Sequence, residues 1–138
     1  MESLRNNAWI LMVLVGLVFL FYAFYNLIVI PGLDPADPER GWAWLTTNPK
    51  AIEQIKFYFR ILGILVLTVA VYTLVIAATG YRNGEKWAWF SLLYLPVHII
   101  LNGVLFPWIA PILAGLLLVA IIGLLLPFRI FFPKEVAR

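Results

Sequence analysis

The sequence predicts an all-α integral membrane protein: an antiparallel four-helix bundle, N-in and C-in, with a short interfacial helix in the first, outer loop. Three observations predict this. First, 64% of the 138 residues are hydrophobic and only 12% are charged, with a mean hydropathy of +0.97. A soluble domain carries about 25% charged residues, so this chain cannot wet its own surface and lipid must be its solvent. Second, four apolar stretches of about 20 residues each alternate with proline, glycine or charge, and about 20 apolar residues cross a bilayer as a helix. Third, Lys and Arg are distributed unevenly among the connectors, which sets orientation. The length fits a single transmembrane domain, residues 1–138.

The first span covers residues 8–30. It is too long for a signal-peptide core, which runs about 7–15 residues and ends in small residues. Here the stretch ends in Phe24, Tyr25, Asn26 and Leu27, so it reads as a retained helix and signal anchor. Pro31-Gly32 stops it. In the loop that follows, Asp37-Pro38-Glu39-Arg40 supplies a helix cap, a first-turn proline and a first-turn acid. A short helix through Leu45 would lay Trp42 and Trp44 at the membrane interface.

Asn48-Pro49 repeats that start signal, and no breaker follows until Gly80. A helix over Pro49–Thr79 would be about 46 Å long, against a hydrocarbon core of about 30 Å. Residues 57–79 therefore make the second span, and Pro49–Lys56 projects beyond it or lies at its edge. Gly80 to Lys86 is a tight polar turn. The third span, 87–106, is interrupted by Pro96; the fourth, 108–126, follows the charge-free turn Pro107–Pro111. Pro127 bends or ends it, and 127–138 forms an interfacial tail. One side would carry Arg5, Arg82, Lys86, Arg129, Lys134 and Arg138; the other, Arg40, Lys50, Lys56 and Arg60. The richer side is the inner one, which places the protein in the cell membrane as a multi-pass chain. Trp42, Trp44, Trp87, Trp89 and Trp108 are the expected interface anchors. The repeated Trp-Ala-Trp also allows a duplicated two-helix unit, although the flanks differ.

Several functions are excluded by what is missing. No cysteine means no disulfide, thiolate metal site or cysteine nucleophile. A single histidine cannot supply paired haem ligands, and no cofactor or metal is expected. No P-loop, GxGxxG, HExxH or GxSxG occurs. The spans hold no Asp or Glu, the usual carriers of coupled protons and cations. The net charge of +3 is scattered, so nucleic acid is not an expected partner.

Polar residues inside a membrane are costly and often functional. Ser91, Tyr94, His98 and Asn102 fall on one face of the third span. Pro96 leaves the Leu92 carbonyl without its usual donor. On the second span Arg60, Ile64, Thr68 and Tyr72 repeat at four-residue spacing, and on the first Tyr22 and Asn26 share a face. Asn26, Arg60, Tyr72, Tyr94, His98 and Asn102 are thus the candidate ligand-binding residues of a polar pocket in the outer half. The alternative is that the same groups hydrogen-bond between helices, with Arg60 snorkelling to the headgroups or pairing with an acid. Gly63 and Ala70, with Ala77, form a slim face on the second span, and Gly115 and Gly123, with Val119, do so on the fourth; both suit close packing.

The segment Gly80-Tyr81-Arg82-Asn83-Gly84-Glu85-Lys86-Trp87-Ala88-Trp89-Phe90 is similar to a turn in small four-span bacterial and archaeal membrane proteins. The layout of a long first loop and tight later turns resembles the DoxX-like group. That resemblance implies a four-helix bundle and no particular reaction. Small multidrug transporters, which need a glutamate in the first span, and vitamin K epoxide reductase-like proteins, which need cysteines, do not fit. The expected function is a non-catalytic accessory or structural subunit of a larger membrane complex. The alternative is a hydrophobic-ligand or lipid binding or transport module around His98; an enzyme acting on a lipid or quinone would have only His98 as its acid-base group. Membrane lipids and either a protein complex or a second copy are the expected partners.

Overall fold

Hydrocarbon offers no hydrogen bonds, so a chain that crosses it must satisfy its backbone internally, and a helix does this within one segment. In the computed structural model, which describes residues 7–35, 37 and 45–133, the regular elements are all helical. Among the described residues four helices are long and apolar enough to cross a membrane: α1 (Ala8–Gly32), α2 (Pro49–Tyr81), α3 (Lys86–Leu105) and α4 (Ala110–Phe131). The interfacial helix expected between Asp37 and Leu45, with Trp42 and Trp44, lies outside the described residues, as do the interfacial residues beyond Pro133.

Local chemistry explains where each helix bends or ends. α1 continues two residues past Ile30 and includes Pro31 and Gly32. Proline lacks an N–H for the Leu27 carbonyl, and its ring crowds that oxygen. The preceding turn, Tyr25–Val29, is widened to π geometry, with the Ile30 N–H reaching back to Tyr25 O. α2 starts where Asn48 Oδ1 accepts from the Lys50 N–H at 3.0 Å, a side-chain cap. It also overruns its expected end: Ala77–Tyr81 is a second π turn, with Arg82 N–H donating to Ala77 O at 3.2 Å. At 33 residues α2 is about 50 Å long, so part of it must leave the hydrocarbon core.

α3 breaks at Leu93, between Lys86–Leu92 and Tyr94–Leu105. The break lies just ahead of Pro96, which cannot donate to Leu92 O. Phe106 leaves helical geometry, Pro107–Ile109 forms a 3-10 turn, and Pro111 occupies the first turn of α4. α4 is regular over Ala110–Leu125, is interrupted at Pro127, and resumes for one turn at Phe128–Phe131.

The chain divides into two compact units, residues 18–71 and the remainder. In the first, Phe19, Ala23 and Asn26 are buried along α1, and Gly63, Val66 and Ala70 along α2. A Cβ at Gly63 would lie 2.5 Å from Leu27 Cγ and 3.0 Å from Leu27 N, so only glycine permits this approach.

In the second unit, Ala8, Met12 and Val15, one turn apart, form the buried stripe of α1. A Cβ at Gly123 would lie 2.7 Å from Met12 Cε. α3 and α4 pack along one another. Near their connection Gly103 faces Leu113, and at the other end Trp89 bonds to Leu124. α4 buries Leu116, Ala120, Gly123 and Leu124. Gly115 lies one residue out of phase with this stripe, and a Cβ there meets nothing within 4 Å. The close packing expected at Gly115 is therefore absent among the described residues. Only 28–33% of each apolar window is buried, so most of every span faces outward.

These contacts separate the glycines experimentally. Gly63→Val should cost about 1–3 kcal/mol through overpacking against Leu27. Gly115→Ala should be neutral or stabilise by up to about 1 kcal/mol, because alanine is the better helix former. Thermal unfolding in detergent, followed by helical circular dichroism, checks both; equal losses would contradict the packing described.

Candidate functional site

Four of the six candidate ligand residues belong to one unit. The Tyr72 ring meets the Tyr94 ring edge-on, with centroids 5.5 Å apart, and Tyr94 lies 6.1 Å from the His98 ring. One turn further, Asn102 Nδ2 donates to His98 O at 2.8 Å and lies 3.3 Å from His98 Nε2. The Tyr94 hydroxyl is buried next to Thr73, without a hydrogen bond of good geometry. Asn26 and Arg60 belong to the other unit. Asn26 is fully buried and donates from Nδ2 to Tyr22 O at 2.7 Å, while its Oδ1 meets no donor among the described residues. Arg60 is exposed. Glu53, one of the acids expected to pair with it, lies 3.7 Å from Lys56 instead.

A common pattern links the polar side chains of the spans. Asn26 bonds to Tyr22 O, Thr68 to Ile64 O, Thr79 to Val75 O and Asn102 to His98 O. Each donates to the carbonyl four residues back in its own helix, a local bond that needs no partner element. Each of these four donors is thereby used locally, within its own helix. Among the described residues, no group of three or more His, Cys, Asp or Glu could hold a metal ion.

A denser arrangement lies at the end of the spans formed by the Gly80–Lys86 turn. Pro127, fully buried, has no N–H for Gly123 O. The Tyr81 hydroxyl replaces it, donating to Gly123 O at 2.6 Å. One residue on, Leu124 O accepts from the Trp89 indole N–H at 2.9 Å. Both carbonyls at the proline break are therefore capped by aromatic donors from other elements. Tyr81 stacks at 4.8 Å on Phe131, and Trp89 packs edge-on against Phe90, Phe128 and Phe132. Trp89, expected as an interface anchor, is half-buried and committed to this cap, whereas Trp87 is exposed. The Trp108 side chain lies outside the described ones.

Charge surrounds the same cluster. The Arg82 guanidinium lies 5.1 Å above the Trp9 ring, and the Lys86 ammonium 5.7 Å from the Phe132 ring. Glu85 accepts from the Trp87 indole N–H. Gly84 adopts φ +74°, the left-handed conformation that closes this turn and that favours glycine. Between the turn and the end of α4 is a small pocket of about 30 Å³, bounded by Trp9, Tyr81, Arg82, Gly84, Ile130 and Phe131. Sequence reading missed Trp9, Tyr81, Phe128 and Phe131. A usable signal was present: Pro127 frees a carbonyl at the depth where Tyr81 and Trp89 enter.

No protein-family model, curated protein or solved structure matches this chain.

The cap makes a coupled prediction. Tyr81→Phe leaves Gly123 O without a donor and should cost about 1–3 kcal/mol. Pro127→Ala restores the missing backbone N–H, so the Tyr81→Phe penalty should shrink by about 1 kcal/mol or more in that background. A double-mutant cycle of unfolding free energies measures the coupling, and additive effects would contradict the cap.

Proposed function

We propose that the chain is a non-catalytic integral membrane protein that serves as an accessory or structural subunit of a larger membrane complex. It lies in the cell membrane as an antiparallel four-helix bundle, with its N-terminal residues, the Gly80–Lys86 turn and its C-terminal residues on the cytoplasmic side. A long first loop with tight later turns is also the layout in which the chain resembles the DoxX-like group. The observation that supports the reading is the local bonding of Asn26, Thr68, Thr79 and Asn102 to their own helices. Acid-base catalysis and coupled transport need polar groups that meet a substrate or ion; these four donate to their own helices instead. The outward faces agree with it. Arg60 is exposed on α2, where lipid tails offer it nothing and a protein neighbour would.

A second reading has one specific observation behind it. The Tyr94 hydroxyl is buried without a hydrogen bond of good geometry, and a single polar atom on an otherwise apolar ligand would satisfy it. That would make the chain a hydrophobic-ligand or lipid binding module.

Extraction of the tagged protein into a native polymer, followed by native electrophoresis and mass spectrometry, separates the two. The subunit reading expects co-migration with a defined larger assembly, unchanged in a His98→Phe, Asn102→Ala variant. A lone monomer or small homo-oligomer, carrying a bound molecule that the double variant loses, would overturn it.

A further inference from the structure

We infer that the pocket beside Arg82 binds the phosphate of an anionic lipid headgroup. The inference needs the spans to cross a bilayer and is independent of the accessory-subunit reading.

Four features of the pocket lead to this. Its position is at the ends of spans, where headgroups lie, and exposed Trp87 marks that depth. Its net charge is positive: among the described residues at this end Arg82, Lys86 and Arg129 outnumber the one acid, Glu85. Its cation has a fixed neighbour, the Trp9 ring 5.1 Å from the Arg82 guanidinium, a contact that uses the face of the group and not its N–H donors. A planar fork of that kind matches two oxygens of a phosphate. Lastly, its size is about 30 Å³, room for about two water-sized groups. Two phosphate oxygens fit, and an acyl chain does not. Ile130 and Phe131 wall the pocket with apolar surface against which the glycerol end can rest.

Net charge selects among lipids. Phosphatidylcholine also carries a phosphate, but its choline cation adds a like charge at an end that already holds Arg82, Lys86 and Arg129. A headgroup of net negative charge meets net attraction, three cations against Glu85. Tyr81 contributes shape alone, since its hydroxyl is engaged with Gly123 O.

The test uses purified full-length protein in detergent, with short-chain phosphatidylglycerol, short-chain phosphatidylcholine and inorganic phosphate as probes and native mass spectrometry as the readout. The wild type should bind phosphatidylglycerol about tenfold or more tightly than phosphatidylcholine. Arg82→Gln should weaken phosphatidylglycerol binding by about thirtyfold. Arg129→Gln, at the same end but outside the pocket wall, should weaken it by no more than about fivefold. Equal binding of the two lipids by the wild type would overturn the proposal, and this comparison decides alone if Arg82→Gln does not fold. Equal losses in the two variants would reduce the effect to general surface charge and also overturn it. Inorganic phosphate binding as tightly as phosphatidylglycerol would overturn the lipid as carrier.

Discussion

A backbone carbonyl in hydrocarbon has no water to turn to, and leaving one without a donor costs several kcal/mol. Regular α-helix satisfies all but the last turn, so the decisive places are those where proline removes an N–H. At Pro31 the chain responds locally, widening the turn from Tyr25 to Val29. At Pro127 the response is tertiary, with the Tyr81 hydroxyl and the Trp89 indole capping two successive carbonyls. Those bonds join the end of α2, the start of α3 and the end of α4, and the aromatic cluster fills the space around them. The tight turn at Gly84, the cation–ring contacts of Arg82 and Lys86, and the small pocket all lie next to this joint.

The same constraint governs the polar side chains. A threonine or asparagine in a span can be tolerated by donating to its own helix, to another helix or to a ligand. Asn26, Thr68, Thr79 and Asn102 take the first course. His98 is held half-buried between Tyr94 and Asn102, and one Tyr94 oxygen is left without good geometry. Such an arrangement lowers the cost of polar groups in lipid, and it leaves wide apolar faces turned outward.

Much of this was legible in the sequence because it is local. Four apolar stretches show as four helices; the first two run two residues past their expected ends where π turns absorb Pro31 or extend α2 to Tyr81, and the fourth resumes after Pro127 to reach Phe131. The shared face of Tyr94, His98 and Asn102 follows from their spacing. What was not legible depends on phase or on distant partners. Gly115 and Gly123 look equivalent by size, yet only Gly123 lies on the stripe that meets Met12. Tyr81 and Gly123 are 42 residues apart, and no periodicity relates them. Trp89 read as a headgroup anchor because its indole suits an interface; the freed carbonyl at Leu124 gives that indole a closer partner.

The central claim is that the Gly123 carbonyl, freed by Pro127, is held by Tyr81. Isotope-edited infrared spectroscopy of the protein in lipid bilayers, with the label at the Gly123 carbonyl, addresses it directly. A hydrogen-bonded carbonyl absorbs at lower frequency than a free one. The account predicts a low-frequency band in the wild type that moves up in Tyr81→Phe and stays low in Tyr22→Phe. A band at the same position in all three proteins would contradict it.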